Sequence, residues 1–209
     1  MTELIQETAD DIQYLESISN ALDIALNEAD LAQIKEELMQ SGYIRRKHTK
    51  KKVKLTSKPM HYISSDGYDM YVGKNNLQNE ELTFSFANGN DWWFHAKGAP
   101  GSHVIVKSGG DELPDRTFEE AGRLAAYYSK NRGADKVEID YIQKKHVKKP
   151  NGAKPGFVVY YTNYSLVIDS DISNIKKCAG LISAHFFTIH YILSGSGQII
   201  DKLLGSSSG

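Results

Sequence analysis

The sequence predicts an α+β protein: a mixed, largely antiparallel sheet with one main helix, preceded by an α-helical coiled-coil hairpin. Three observations lead there. The first 42 residues carry apolar side chains at helical spacing; from residue 59 short β-rich runs alternate with turn residues; and one long amphipathic segment, 117–133, interrupts those runs. A chain of 209 residues holds one domain of ordinary size plus accessories, and 40% hydrophobic with 24% charged residues is a normal globular balance.

Taken in order, Ile5, Ile12, Leu15, Leu22 and Leu26 recur at sevens, threes and fours, the stripe of an amphipathic helix. Asn27-Glu28-Ala29-Asp30 breaks it. Asp30 can cap a second helix with Leu31, Ile34 and Leu38 on one face, and Ser41-Gly42 is its expected stop. Residues 1–44 are therefore a helical hairpin and 45–58 a basic linker. HYISSDGYDMYVG reads as two strands around Asp66-Gly67. Asn79 is placed as the cap of a short helix through Phe86. DWWFHA and SHVIVK are strands either side of Gly98-Ala99-Pro100-Gly101. In TFEEAGRLAAYYSKNRG, Thr117 and Glu120 have capping-box spacing, Phe118, Ala121, Leu124, Ala125 and Tyr128 form an apolar face, and Gly133 is the expected end. KVEIDYI, FVVYY and SLVIDS complete the strands of a domain spanning 59–175. Residues 176–209 form a tail that turns apolar and ends in a Ser/Gly-rich run, and no role is assigned to it.

The net charge of −1 conceals an asymmetry. Residues 1–42 hold ten acidic side chains against one lysine, a net of −9, while the remainder holds 24 basic and 16 acidic residues, a net of +8. The single cysteine, Cys178, excludes an intramolecular disulfide and a cysteine-built zinc site. The acidic N-terminus is unlike a secretory signal, and no run reaches the ~20 apolar residues of a membrane helix. These features predict a cytoplasmic protein with no membrane partner.

Two basic clusters stand out. RRKHTKKKVK, 45–54, has seven Lys or Arg in ten positions, and KKHVKKPNGAKPG, 144–156, carries Lys144, Lys145, His146, Lys148, Lys149 and Lys154 among prolines and glycines. Lysines supply point charges for phosphates, and the Pro/Gly framework brings backbone amides close to a ligand. With Arg123 on the main helix, they favour RNA over a merely solvated face. In DWWFHAKGAPGSHVIVK, strand alternation puts Trp92 and Phe94 on one face and Trp93 on the other; one tryptophan is core, with Trp92 favoured, and the other could stack on a base. His95, Lys97, Ser102 and His103 flank the turn as donors for an RNA-contacting edge. Asp91, His95, Ser102 and His103 also contain the residue types of a hydrolytic triad, but no G-x-S-x-G elbow accompanies them. His95 and His103, eight apart with no carboxylate pattern, make a weak metal set, and neither a P-loop nor G-x-G-x-x-G is present. Neither catalysis, a metal nor a cofactor is expected.

DGYDMYVGKNNLQNEELT, DWWFHAKGAPGSHVIV, EEAGRLAAYYSKNRG and VKKPNGAKPGFVVYY together resemble the C-terminal NFACT-R domain of the ribosome quality-control factors, over about residues 60–170. The acidic helices before it are similar to the end of that family's middle coiled coil. The resemblance implies an RNA-binding, non-enzymatic role. The full-length factor binds the large ribosomal subunit (rRNA) carrying a stalled peptidyl-tRNA and recruits alanyl-tRNA, so that the ribosome adds a C-terminal alanine tail. The older name of the bacterial members suggests an alternative, a fibronectin/fibrinogen-binding surface adhesin. The family's N-terminal domain and most of its coiled coil are absent from this sequence.

Overall fold

A computed structural model describes residues 2–45 and 57–178 of the chain. Most of the first basic cluster and the tail after Cys178 lie outside the described residues. Helices α1 (Thr2–Ile24) and α2 (Glu28–Gln40) form the hairpin. There follow β1 (Met60–Ile63), β2 (Asp69–Val72), α3 (Asn76–Glu81), β3 (Trp92–Ala96), β4 (Val104–Val106), α4 (Asp115–Tyr127), β5 (Val137–Gln143), β6 (Tyr164–Ile168) and β7 (Lys176–Lys177). The seven strands make one sheet in the order β6-β5-β3-β4-β2-β1-β7, every neighbouring pair antiparallel. The α+β class and the helical hairpin follow the sequence pattern.

Each face of the sheet has its own core. On one, α4 lays Ala121, Leu124 and Ala125 against Phe94, Val104, Val106 and Ile139. On the other, Trp93, Tyr71, Ile105 and Ile142 are covered by Leu82 and Ala87, which follow α3, and by Val147, Val158 and Tyr160 from the lysine-rich loop. Period-two alternation along β3 divides Trp92 and Phe94 from Trp93 between these cores.

The hairpin is held on by buried polar contacts. Asp30 and Lys74 form an ion pair with almost no exposure on either side. The Ser57 hydroxyl donates to Asp30 at 2.5 Å, and the Gln78 amide donates to Ser57 and to Gln33, both at 2.7 Å. Asn76 donates to Ser17 at 2.7 Å and to Glu37 at 2.8 Å. Buried ions persist when paired and hydrogen-bonded, and here the partners come from both sides of the seam.

Several local details differ from the sequence pattern. The α1 stripe Ile5, Ile12, Leu15, Leu22 and Leu26 is exposed; the buried face is Tyr14, Ile18 and Ala21, packed on Ile34. Tyr14 qualifies because its hydroxyl finds Ser41 and Glu37. Asn27, not Asp30, caps α2, and Asn75, not Asn79, caps α3. Thr117 and Glu120 form no capping box, because α4 begins two residues earlier at Asp115. The Thr117 hydroxyl instead donates to Asp66 and is within hydrogen-bonding distance of the Ser64 hydroxyl, and Glu120 accepts from the backbone and hydroxyl of Ser65, fastening the β1–β2 turn. Helix α4 stops at Tyr127 rather than near Gly133, since the next residues pair with the β3–β4 turn. FVVYY is no regular strand: only Val159 bridges, to Lys148, while the Tyr160 ring packs on Trp93.

Candidate nucleic-acid interface

The β3–β4 connection is fixed from three directions. The backbone amide of Lys130 donates to the Pro100 carbonyl at 2.9 Å, and that of Ser102 to the Tyr128 carbonyl at 3.0 Å. Asn79 spans the turn: its side-chain amide donates to the Gly101 carbonyl at 3.2 Å, while its oxygen accepts from the His103 amide at 3.0 Å. Gly101 is required by close approach, since a Cβ there would stand 3.0 Å from that of Ser129.

Below the turn lies an aromatic cluster. Trp93, fully buried, stacks on His95 with centroids 5.7 Å apart, and meets His103 edge-on at 5.1 Å and Tyr160 at 5.0 Å. The two imidazoles are 5.4 Å apart. Burial pulls His95 down to about 4, against the opposing influence of the Gly101 backbone and Asp140. Burial, and then His95, hold His103 well below its ordinary value. Both rings are therefore neutral near pH 7 and act as hydrogen-bonding groups rather than cations. His103 Nδ1 is engaged by the Thr83 hydroxyl at 2.8 Å.

A pocket of about 190 Å³ opens over His95 and His103, walled by the 98–101 turn, by Pro155–Val158 and by Tyr14 and Ser17 of α1. Gly156 lines it with φ +77°, and a Cβ there would sit 2.9 Å from that of Asn76. The lysine loop adjoins this wall, since Lys148 and Val159 exchange backbone hydrogen bonds at 2.9 and 2.8 Å.

The structure sorts the expected site residues. Lys145, His146 and Lys148 are exposed and have no ion-pair partner among the described residues; Lys144 lies over the Phe84 ring at 6.0 Å. Lys149 pairs with Glu80 at 2.6 Å and Lys97 with Glu138 at 2.5 Å. Lys154 is held by Asp11 and by the Tyr43 hydroxyl, over the Tyr14 ring. Arg123 is on the opposite side of the sheet, on α4, bound to Asp169 at 3.2 Å. Three expectations need correction. Trp93, not Trp92, is the fully buried tryptophan, because the loop from Val147 to Tyr160 roofs its face. Ser102 and His103 are buried too and present no free edge to a macromolecule. Trp92 is half-buried on the α4 face, away from the lysines.

Sequence does not single out Tyr160 or Asn76, and it gives Asn79 only as a helix cap. For the two asparagines the signal is the run Asn75-Asn76-Leu77-Gln78-Asn79, since amides of modest helix propensity in a short helix point to tertiary hydrogen bonds. No group of three or more His, Cys, Asp or Glu able to hold a metal stands together among the described residues. No described helix is long and apolar enough to cross a membrane.

Comparison with known proteins places this geometry. Residues 58–162 match the NFACT protein RNA binding domain, and residues 1–57 match the NFACT N-terminal and middle domains. The chain is 45% identical over 181 residues to the Rqc2 homolog RqcH of Streptococcus pneumoniae serotype 2, covering 85% of this chain and 32% of that protein. It is 39% identical over 180 residues to the Rqc2 homolog RqcH of Bacillus subtilis, covering 84% and 31%. The C-terminal structure of the fibronectin/fibrinogen-binding protein from Streptococcus suis superposes with a TM-score of 0.77 at 42% identity, over 84% of this chain and 71% of that one. The chain spans about a third of the length of the curated relatives it matches.

Proposed function

The chain belongs to the NFACT family of Rqc2 and RqcH homologues, and from that premise we propose that it binds structured RNA of the large ribosomal subunit or of tRNA through the loop 144–154 and the turn 95–101. The observation that carries this is the pair of exposed, unpaired cations Lys145 and Lys148, with exposed His146 between them, on a loop anchored by Val147 in the core. Rigid positive charge beside a pocket with neutral hydrogen-bonding walls suits phosphate contact with a neighbouring ribose or base. Lys97, Lys149 and Lys154 contribute by exchanging their carboxylate partners for phosphates.

Within the full-length factor, this part would help hold the large subunit with its stalled peptidyl-tRNA and admit alanyl-tRNA for alanine tailing. It acts as a binder and positioner, with the ribosome forming the peptide bonds.

Sucrose-gradient sedimentation with purified large subunits tests the proposal. Co-migration should weaken as salt rises, because displaced counterions return to the RNA. Lys145→Ala with Lys148→Ala should lower the logarithmic salt slope by about 1–2. Migration only as free protein at low salt would refute RNA binding. Capture on immobilised fibronectin in that case would favour the adhesin reading that the Streptococcus suis relative's name suggests.

A further inference from the structure

On the α4 side of the sheet a second cleft, of about 450 Å³, lies far from the lysines in character. Its floor is a cross-strand row of rings. Tyr141 of β5 stacks on Tyr164 of β6 at 5.5 Å, and fully buried Phe94 of β3 backs Tyr141 from beneath the cleft at 5.5 Å. Trp92 stands beside the row, 5.9 Å from Tyr141 and 6.4 Å from Tyr164, and Phe118 of α4 closes the inner end edge-on to Trp92 at 4.8 Å. Trp92, Phe118 and Tyr141 are each only half-buried, and Tyr164 is 59% exposed. The cleft therefore leaves the edges and faces of several rings open to a ligand.

The rim decides what fits. Asp111, Glu112 and Asp115, from the segment leading into α4, line the cleft and are exposed, and no Lys, Arg or His lines it. Ring faces carry negative quadrupole density, and three carboxylates at the mouth add formal negative charge. Phosphate is repelled from such a site. A flat guanidinium is drawn in, since it stacks on Trp and Tyr faces while offering paired N–H donors to carboxylates.

We propose that this cleft is a receptor for an arginine side chain presented by a basic segment of a protein partner, with Trp92, Tyr141 and Tyr164 as the stacking surfaces and Asp111, Glu112 and Asp115 as the counter-charge. The site is separate from the RNA face and independent of the RNA proposal. A chain of this design grips its target in two chemically opposite ways, lysines against phosphate on one face and an acidic aromatic cleft against arginine on the other.

The probe is the blocked peptide Ac-Gly-Arg-Gly-NH2, followed through the indole N–H signals of the two tryptophans in ¹⁵N-labelled protein, with Trp92→Phe assigning them. The arginine peptide should shift the Trp92 signal saturably and leave that of buried Trp93 in place. The citrulline peptide, of nearly the same shape but neutral, should bind about tenfold more weakly. Asp111→Asn with Asp115→Asn, and separately Tyr164→Ala, should each weaken the arginine peptide by about five- to tenfold with an otherwise unchanged spectrum. Equal binding of the citrulline peptide, indifference to the two carboxylates, or a Trp92 shift produced by oligouridylate in place of the arginine peptide would overturn the proposal.

Discussion

Mild acid should loosen this fold through the imidazoles under the β3–β4 turn before its paired carboxylates titrate. His95 is held at about 4 by burial, whereas an unfolded chain protonates histidine near 6.5. A base depressed in the folded state contributes stability above its unfolded value and loses it as the pH falls towards the folded one. For His95 alone, linkage gives a loss of at most about 2 kcal/mol between pH 7 and 5, the half-buried ring making this an upper value. His103 pushes the same way. Asp11, Asp30, Asp169 and Asp171 are all lowered below their ordinary value, so their losses begin at more acid pH. Glu37 opposes the histidines: burial raises it, so its protonation stabilises the fold as the pH falls. Urea unfolding at constant ionic strength, read by the fluorescence of buried Trp93 at half-unit steps from pH 7.5 to 5, measures the slope. His95→Gln should flatten it by at most about 2 kcal/mol over that range, and Glu37→Gln should steepen it. An unaltered slope in His95→Gln would show that the ring titrates alike in the folded and unfolded chains, and the account of a neutral pocket wall would fail.

Trp93→Ala should cost about 3–5 kcal/mol in the same urea assay, and Trp92→Ala distinctly less because Trp92 is only half-buried. Asp30→Ala strands Lys74 in the seam and should cost about 3–5 kcal/mol, while Asp30→Leu with Lys74→Met should recover most of it. Gly156→Ala combines a left-handed φ with a 2.9 Å clash on Asn76; calorimetry should show a loss of about 1–3 kcal/mol.

Period and punctuation made much of the fold legible. The hairpin about Asp66-Gly67, strands β3 to β6 and the apolar face of α4 all follow from local alternation and turn chemistry. Decisions made by distant partners were not legible. Thr117 and Glu120 have the spacing of a cap, but Ser64, Asp66 and Ser65, over fifty residues away, claim their oxygens. The exposed α1 stripe outscored the buried one on hydrophobicity because the buried face uses Tyr14 and Ala21, which need a specific neighbour to be worth burying. At the site, residue type drew attention to the β3–β4 segment and the lysine loop. Which tryptophan is roofed depended on where the loop to Tyr160 lies, and period two is symmetric between the two faces.

Helix α1 lies along the mouth of the histidine pocket, with Asp11 taking Lys154 and Glu16 taking Lys130 at 2.5 Å. Those two pairs fasten a strongly negative rod beside the lysine loop, so charge is unevenly spread over the described residues despite a net charge near zero for the chain. In the field of a polyanion such a body feels a torque as well as a pull. Repulsion by the rod and attraction by the lysine loop beside it would bias orientation in the encounter, and the loss of that bias with salt is expected chiefly in the association rate.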